Sequence, residues 1–492
     1  MTEPKGKIFT NVLHYMAGQG AIAVFGLVTS IVLARYLPKD VFGQYSYLLS
    51  LAIIFLPLLD LGGHTLYAVL GARDRSRIGS FWARTIALKV YALPLTALVL
   101  AGYYYWSTRN VGLVYLLVLL YTVAQSLFLS TDVVFRPAEQ GRAWAIRRVL
   151  FETASFFLVA VAVAFFHVHV ASTLLLLVTI AVFVAVIWAV FTVVSITNLT
   201  WAEFLAQFRK PFDRAEVRAL WPFALNTALW VFYYRETNLF LENFGAHAKT
   251  DLADYRVSYQ IMTSALYIPK AVIWASVPRI AFHDEQENLD QFHALVRETS
   301  GINTWLATFF TVGGLLYGER LIGLVFGPKY AHLGLTWTLF DIVMGLLFVQ
   351  QFCTDLLNGI RQERAVVYGL VAGIVILTTL SYFLVPLYGA AGAGAAQIIA
   401  GAVMVPMNFF AVARRVGWKN LHGIKLWRLA LVSVVVAAIG FGLMKLNFYL
   451  AFYVSAVVFV AVFGALSYLL GALPEQFAVV AARLARRAGL QH

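Results

Sequence analysis

Long apolar runs recur along the whole chain, and each has about the length that a helix needs to cross a lipid bilayer, roughly 20 residues. Because a bilayer offers no water to the backbone, chains of this kind fold as helices or closed barrels. Runs of this length predict an all-α polytopic membrane protein with about 14 transmembrane helices. They lie near residues 11–34, 44–70, 84–105, 112–135, 148–166, 171–196, 219–241, 256–280, 300–318, 334–358, 365–386, 389–413, 427–446 and 448–471.

Composition agrees with a membrane protein. The chain is 61% hydrophobic and 12% charged, whereas soluble domains carry about 25% charged residues. Its net charge of +13 is explained by anionic lipid and by the positive-inside rule, so no nucleic-acid partner is expected. Cys353 is the only cysteine, which excludes disulfides within the chain and cysteine-based metal sites.

The basic residues also predict an orientation. With a cytoplasmic N-terminus, Lys and Arg favour the inside segments over the outside ones by roughly three to one. We therefore expect both termini in the cytoplasm. Residues Met1–Thr10 lead into an apolar run that is too long for a signal-peptide core, so the first span is expected to be retained.

Two short patterns occur twice and divide the chain. The turn before Phe42-Gly43-x-Tyr45 has a counterpart about 210 residues later, and Gln140-Gly-Arg-Ala resembles Gln362-Glu-Arg-Ala. Two six-helix lobes that both start inside must be related by an axis along the membrane normal, a parallel pseudo-two-fold. The predicted divisions are a first lobe, a linker, a second lobe, and two extra helices with a basic tail: 1–197, 198–218, 219–414 and 415–492.

The linker carries an amphipathic pattern. Trp201, Phe204, Leu205 and Phe208 recur at helical spacing, with basic residues after them. This pattern predicts a helix that lies on the cytoplasmic leaflet. The tail after Pro474 is a second candidate for such a helix, or else a polybasic segment that binds a partner.

Catalytic motifs are missing from the sequence. It contains no HExxH, GxSxG or Walker A pattern, its outer loops are short, and the spacing of His64, His167 and His169 makes no metal site. The glycines from Gly389 to Gly394 are more typical of close helix packing than of a phosphate loop. The acidic run at 283–287 is interpreted as solvated surface, with a gate contact as the alternative. We expect no enzymatic activity, no cofactor and no metal.

Ionisable residues inside the apolar runs carry more information, because charge in hydrocarbon costs several kcal/mol and is kept when it is paired or faces water. Arg235, Glu236, Lys270 and Asp60 are therefore candidates to line a central cavity, and structural pairs between helices are the alternative. Neighbouring Arg235 and Glu236 point about 100° apart on a helix. We expect Arg235 to face the cavity, and Glu236 to pair with another helix or to exchange a proton.

Other charges lie within about two helical turns of the inner boundary, where long side chains reach water readily. Lys89, Asp132, Glu152 and Asp355 are interpreted as interface anchors or gate pairs. Asp355 and Arg279 are the candidate gate residues.

Five motifs, in this order and spacing, resemble those of one transporter family: Leu33-Ala-Arg35-Tyr-Leu37, Phe42-Gly43-x-Tyr45, Leu59-Asp60-Leu-Gly62, Gly327-Pro-Lys-Tyr330 and Gly389-Ala-Ala-Gly392. The chain is similar to the polysaccharide transporters of the multidrug/oligosaccharidyl-lipid/polysaccharide superfamily. By pattern, O-antigen flippases and related capsule and exopolysaccharide translocases resemble it most.

This resemblance implies a flippase of the bacterial cytoplasmic membrane. It would move an undecaprenyl-pyrophosphate-linked oligosaccharide from the inner to the outer leaflet by alternating access, with coupling to H⁺ or Na⁺. Its partners would be that glycan, membrane lipid, and the polymerase or export machinery. Arg35 becomes a third cavity cation by this resemblance, and Asp60 a coupling or pairing residue. The chain departs from its relatives where Arg235-Glu236-Thr237 replaces an acidic residue of span seven.

Three other functions remain open from the sequence. A peptidoglycan-precursor flippase would need the same gross chemistry. A drug or small-cation antiporter of the same superfamily would prefer an acidic cavity, which the basic candidates disfavour. An integral membrane glycan polymerase or glycosyltransferase is disfavoured by the short outer loops.

Overall fold

The chain folds into helices throughout the part that the structure describes. The computed structural model describes residues 5–286, 288–421, 423–445 and 451–474, and no strand occurs within these ranges. The tail after Pro474, including its expected amphipathic helix, lies outside them. The first eight helices are α1 (Lys5–Tyr36), α2 (Lys39–Asp60), α3 (Gly63–Arg73), α4 (Ile78–Thr108), α5 (Leu113–Ser130), α6 (Asp132–Phe135), α7 (Gly141–Ala164) and α8 (Ala171–Thr197).

A second set of helices follows in the same way, several of them longer than a membrane is thick. They are α9 (Trp201–Arg209), α10 (Arg214–Phe244), α11 (Ala248–Glu285), α12 (Leu289–Phe326), α13 (Gly334–Gly359), α14 (Glu363–Val416), α15 (Leu426–Met444) and α16 (Ala451–Leu469).

The predicted all-α membrane architecture is confirmed. Ten helices among the described residues are long and apolar enough to cross a membrane. One of them, α14, holds two of the expected spans, and the three remaining expected spans lie in α7, α10 and α11, which carry more charged residues. Each of the fourteen apolar runs is therefore predominantly helical over its described residues.

Span two is interrupted where its polar residues lie. Helix α2 ends at Asp60, Leu61 and Gly62 adopt left-handed φ angles of 46° and 75°, and α3 begins at Gly63. A side chain at Gly62 would collide with the backbone of Phe223 and Ala224 on α10. The bare glycine thus lets α10 approach the break, and the break places Asp60 at a helix end inside the apolar run.

Spans eleven and twelve are joined directly at Gly389. The two halves of α14 meet at this residue, whose φ of 53° and ψ of −129° are not helical. Glycine adopts such a conformation without the penalty that a Cβ would impose. Asp251 of α11 lies against it, and Gly392 packs against the carbonyl of Leu384. The glycines of this stretch thus serve helix joining and packing, as the sequence favours over a phosphate loop.

The linker contains a helix at the amphipathic pattern, but this helix is shorter than predicted. Thr200 and Glu203 form a reciprocal capping box at the start of α9, and Thr200 accepts from the Glu203 backbone N–H at 3.3 Å. The backbone N–H of Thr200 donates to this exposed carboxylate and holds the pKa of Glu203 below its usual value. Phe204 packs against Trp82 of α4, whereas Trp201 is 71% exposed. Contact of α9 with the cytoplasmic leaflet stays a prediction.

The chain divides into two compact units. Unit 1 comprises Met1–Gln260 and Thr378–Ala393, and unit 2 comprises Ile261–Leu377 and Gly394–His492. The lobe boundaries drawn from the repeated patterns stay a prediction.

The interior of unit 1 contains large aromatic side chains that are almost fully buried. Tyr67, Trp82, Phe135, Trp144 and Leu220 form one apolar cluster, drawn from five different helices. Burial of this kind stabilises a fold by about 25 cal/mol for each Å² of apolar surface removed from water. The cluster fixes α3, α4, α6, α7 and α10 around one another.

In unit 2 the two last helices pack on α12. Tyr317, Leu429, Val432, Phe459 and Phe463 form a buried cluster between α12, α15 and α16. The hydroxyl of Tyr317 donates to the carbonyl of Ser455 at 2.9 Å, so its polar end is satisfied within this apolar interior.

The two related turns that divide the sequence meet in unit 1. Lys39, at the start of α2, donates to Asp254 of α11 at 2.7 Å. Gly43 packs so closely on the backbone of Lys249 and Ala253 that a side chain there would collide with it. The recurring glycine-containing turns are therefore contact points as well as loops.

Candidate functional site

Two arginines of unit 1 lie close together on α10 and α11. Arg235 is half-buried, its Nη1 lies 3.5 Å from the Ser50 hydroxyl of α2, and its guanidinium carbon lies 5.9 Å from the centre of the Tyr259 ring. Arg256 is also half-buried and lies within electrostatic range of Arg235. Their proximity concentrates positive charge inside the helical bundle.

Tyrosines surround these cations. Tyr45, Tyr121 and Tyr259 are almost fully buried and lie within electrostatic range of Arg256. Together with Arg235 and Arg256 they form what we call the arginine–tyrosine cluster. Tyrosine hydroxyls can donate to an anion, and tyrosine rings can stack against guanidinium groups or sugar rings.

Two further contacts fix the tyrosines of the cluster. Gln125 donates to the Tyr121 hydroxyl at 2.9 Å. Tyr255 stacks on Tyr259, with ring centroids 5.4 Å apart and an interplanar angle of 18°. The hydroxyls and rings are thus held by neighbouring side chains from α5 and α11.

In the part of the chain that the structure describes, no carboxylate neutralises the two arginines. Among the described residues, neither Arg235 nor Arg256 forms an ion pair, although other buried cations of unit 1 do. Glu152 of α7 lies within electrostatic range of Tyr45 and Tyr121 of the cluster. Two like charges at depth repel each other and lose hydration, so a bound anion would relieve both costs.

Glu236 points away from its neighbour, as the helical geometry predicts. It is 0% exposed and accepts a hydrogen bond from Thr378 of α14 at 2.7 Å. Its second oxygen, Oε1, has no partner among the described residues. Arg235 meanwhile faces Ser50 and Tyr259. A buried carboxyl with one unused oxygen is suited to hold a proton or a cation.

Asp60 lies in a buried polar network at the break of span two. Its carboxylate pairs with Lys89 of α4 and accepts from His64 at 2.5 Å. Lys89 also donates to Ser126 of α5 at 2.8 Å. Ser50, which contacts Arg235, precedes Asp60 by roughly 15 Å of helix. Asp60 thus forms a structural pair between helices, which was the alternative interpretation from the sequence. It lies at the end of α2, away from the arginines near Ser50.

Lys270 lies in unit 2 and is half-buried. Its ammonium lies 5.7 Å from the Tyr267 ring centroid, and Asp355 of α13 is its electrostatic partner. Asp355 also accepts from Gln351 at 2.6 Å. The candidate gate residue Arg279 has a side chain outside the described part of the chain. Lys270 and Asp355 are therefore the two opposite charges that the structure places near each other in this part of unit 2.

Arg35 occupies the last turn of α1 and is exposed. It stands among polar turn residues, whereas Arg235 is a half-buried residue of α10. Its role as a cavity cation stays a prediction that depends on the resemblance.

Arg256 was not among the candidates that the sequence suggested. The expected span eight begins at residue 256, which places this arginine at the outer boundary, but α11 begins at Ala248. The usable signal was the pattern Arg256, Tyr259 and Gln260, which puts a cation, a phenol and an amide on one helical face.

The chain belongs to the polysaccharide biosynthesis protein family, whose model matches residues 8–282. No curated protein matches the sequence significantly. The family identified from the sequence motifs is thereby confirmed.

Solved structures give the fold. The lipid II flippase MurJ, in an inward closed conformation, matches with a TM-score of 0.66 at 11% identity, covering 93% of this chain and 98% of that one. An inward-facing MATE multidrug resistance transporter of the MOP superfamily matches with a TM-score of 0.56 at 13% identity, covering 82% and 94%. The chain therefore has the fold of MOP-superfamily transporters.

A third structure bears on pocket charge. A MOP-superfamily transporter from Pyrococcus furiosus, described as having a binding pocket of reverse polarity, matches with a TM-score of 0.60 at 12% identity. The match covers 84% of this chain and 96% of that one. At such identity the likeness extends to the fold alone, so the charge of the pocket in this chain has to be argued from its own residues.

Proposed function

We propose that this protein is a flippase that moves an undecaprenyl-pyrophosphate-linked oligosaccharide from the inner to the outer leaflet of a bacterial cytoplasmic membrane. The observation that carries the proposal is the arginine–tyrosine cluster, with two half-buried arginines and no neutralising carboxylate among the described residues. Membership of a polysaccharide biosynthesis family and the flippase fold support the same conclusion.

The chemistry of the cargo suits this cluster. A pyrophosphate cannot cross hydrocarbon without fixed cations, and guanidinium groups bind phosphate oxygens through paired, charge-assisted hydrogen bonds. Arg235 and Arg256 would supply these bonds, and the tyrosine hydroxyls would donate to the remaining oxygens. The polyprenyl tail needs no pocket because it remains in the lipid.

Other candidate residues take supporting roles in this proposal. Lys270 and Arg35 would attract the anionic headgroup along its route, and Asp355 would contribute to a gate. Glu236 would exchange a proton or sodium ion, because its Oε1 is buried without a partner among the described residues. The lobes would alternate access, with both termini in the cytoplasm and a glycan polymerase as the downstream partner.

The competing functions differ in the pocket charge, the sugar specificity or the catalytic motif that they require. A cation antiporter needs an acidic pocket, whereas this cluster is cationic. A peptidoglycan-precursor flippase would also hold a pyrophosphate, and the sugar specificity of the chain distinguishes it from the proposed function. A catalytic role has no motif to support it.

Charge removal tests the proposal in cells. We expect Arg235→Gln and Arg256→Gln each to abolish or strongly reduce glycan display at the cell surface, because each removes one of two phosphate-binding cations. Display is measured by lectin or antibody staining, alongside the accumulation of lipid-linked glycan in the inner leaflet. Loss of lipid II transport with normal glycan display would favour the peptidoglycan alternative.

The matched control is Arg320→Gln, which neutralises an exposed arginine at the end of α12. It should leave glycan display unchanged, and all three variants should insert in the membrane at wild-type abundance. Normal display by both cluster variants, with lipid II transport also unchanged, would contradict the assigned site.

A further inference from the structure

A further buried carboxyl, to which no role has been assigned above, lies in unit 2. Asp341 is on α13 and is 0% exposed. It packs on the bare Cα of Gly314 in α12, where an added Cβ would collide with the carboxyl group. One turn further along the same seam, Thr311 of α12 faces Gly345 of α13. The carboxyl is thus enclosed between two closely packed helices.

Neither oxygen of Asp341 has a hydrogen-bond partner among the described residues. Its neighbour Trp337 donates instead to the carbonyl of Gly314, at 2.8 Å. An ionised carboxylate in such an environment would cost many kcal/mol, because burial removes its hydration and no hydrogen bond or ion pair replaces it. The carboxyl group in this closed arrangement is therefore neutral.

Within the described part of the chain, no ionisable group on the surrounding helices pairs with Asp341, and Lys270 of α11 has Asp355 as its electrostatic partner. On α12, the Tyr317 hydroxyl donates to the carbonyl of Ser455. Glu319 of the same helix lies beside Gly334, at the start of α13. Asp355 of α13 is about 21 Å of helix away. Between residues 365 and 413, α14 contains no Asp, Glu, Lys, Arg or His, and neither does α16. The one ionisable residue of α15, Arg428, lies near the start of that helix.

We propose that Asp341 is a proton-binding site, at which a proton from the aqueous phase is taken up and released as the α12–α13 seam opens and closes. In the closed seam the carboxyl keeps its proton. Opening admits water, the proton leaves to water as hydronium, and the carboxylate is hydrated. As a coupling site this proposal rests on the proposed transport function.

The chemistry favours a proton over a metal ion. Sodium or calcium would need several oxygen ligands arranged around the carboxylate. No group of three or more His, Cys, Asp or Glu residues among the described ones could hold a metal. Asp341 itself supplies two oxygens, and the backbone carbonyl of Gly314 is already occupied by Trp337. A proton needs no further ligand.

An apolar carbodiimide tests the proton directly. Dicyclohexylcarbodiimide takes the carboxyl proton on nitrogen, the carboxylate adds to its central carbon, and an acyl shift to nitrogen gives a stable acylurea that retains every atom of both reactants. We expect purified full-length protein to show this adduct at Asp341, located by peptide mass spectrometry. Its yield should fall by about tenfold per pH unit on the alkaline side of the titration.

The control within the same digest is Asp290, which is exposed at the start of α12 and is expected to stay unmodified. The variant Asp341→Asn imitates the protonated form in size and charge, so it should fold and lack the adduct. An unmodified Asp341 at every pH, or an adduct yield independent of pH, would overturn the proposal.

Transport provides the second arm of the test. Asp341→Asn should reduce glycan display at the cell surface at least as strongly as a cluster variant, whereas Asp290→Asn should not. Full display by Asp341→Asn would refute the coupling role. Normal glycan display after deletion of the whole gene would contradict the proposed function. It would leave the proton-binding site itself to the carbodiimide measurement, which requires no glycan.

Discussion

Buried charges in unit 1 fall into two groups that differ in their partners. Asp60 pairs with Lys89, and Asp132 pairs with Arg147 at 2.6 Å with both side chains 0% exposed. The arginines of the arginine–tyrosine cluster have no such carboxylate among the described residues. Ion pairs of the first group are explained by helix packing alone, whereas in the proposed function the arginines of the second group bind the anionic cargo.

The sequence could identify some of these residues and not others. Arg235 is a clear candidate because it stands well inside an apolar run. Lys89 and Asp132 were interpreted as interface anchors or gate pairs near the inner boundary. Their buried partners Asp60 and Arg147 lie on other helices, so spacing does not reveal these two pairs. Arg256 was missed because α11 begins two turns before the apolar run does. Pairing depends on tertiary packing, which a single sequence does not reveal.

The Asp60–Lys89 pair gives a stability prediction. Removing one partner of a buried ion pair leaves the other charge buried and unpaired, at a cost of about 3–5 kcal/mol. Asp60→Ala should therefore lower the free energy of unfolding of the purified protein by about this amount, as measured by denaturant titration in detergent.

The double variant Asp60→Asn/Lys89→Met provides the control, because it removes both charges together. It should recover most of the stability lost in Asp60→Ala. Equal destabilisation in the two proteins would show that the lost contacts, rather than a stranded ammonium, cause the effect.

Interruptions of helices set the geometry of unit 1. The sequence shows glycines near residues 62 and 389 but cannot tell a packing glycine from a helix break, because both keep a small residue in an apolar run. In the structure, Gly62 permits close approach of α10, and Gly389 joins the two halves of α14. These two positions could be predicted as glycine-dependent, although their conformation could not.

The join within α14 gives a second stability prediction. Gly389→Val would place a β-branched side chain at a positive φ and against the carboxylate of Asp251. The backbone alone should cost roughly 1–2 kcal/mol. We expect a lower unfolding temperature in detergent, and Gly102→Ala, where the added methyl meets open space, should leave it unchanged. Equal unfolding temperatures for Gly389→Val and wild type would contradict the strained join.

The linker was predicted as a single amphipathic segment over 198–218, but its helix ends at Arg209 and α10 begins at Arg214. Arg84 of α4 explains how the intervening loop is held. Its guanidinium donates to the carbonyls of Gln207 and Pro211 at 2.9 and 2.8 Å and to Glu216 at 2.7 Å. From the sequence alone, Arg84 is one more charge on the inner side, because its acceptors, backbone carbonyls and the Glu216 carboxylate, lie more than 120 residues away.

For the whole molecule, the fold could be predicted well because membrane physics constrains it. Fourteen apolar runs of about 20 residues leave few alternatives to a helical bundle, and the family and its fold agree with that prediction. The candidate site was only partly predictable. Its cations lie on different helices. The packing of these helices decides which cations lie close together, and hydropathy does not reveal that packing.

In the proposed function Arg235 and Arg256 hold the pyrophosphate of the cargo, and a binding measurement on purified protein is the sharpest test of that role. Titration with undecaprenyl pyrophosphate, followed by native mass spectrometry, should give a dissociation constant at least about tenfold weaker for Arg235→Gln/Arg256→Gln than for wild type, since charged hydrogen bonds contribute about 1.5–3 kcal/mol each. The neutral undecaprenol should bind both proteins equally weakly. Equal affinity of both proteins for undecaprenyl pyrophosphate would show that Arg235 and Arg256 do not bind the pyrophosphate.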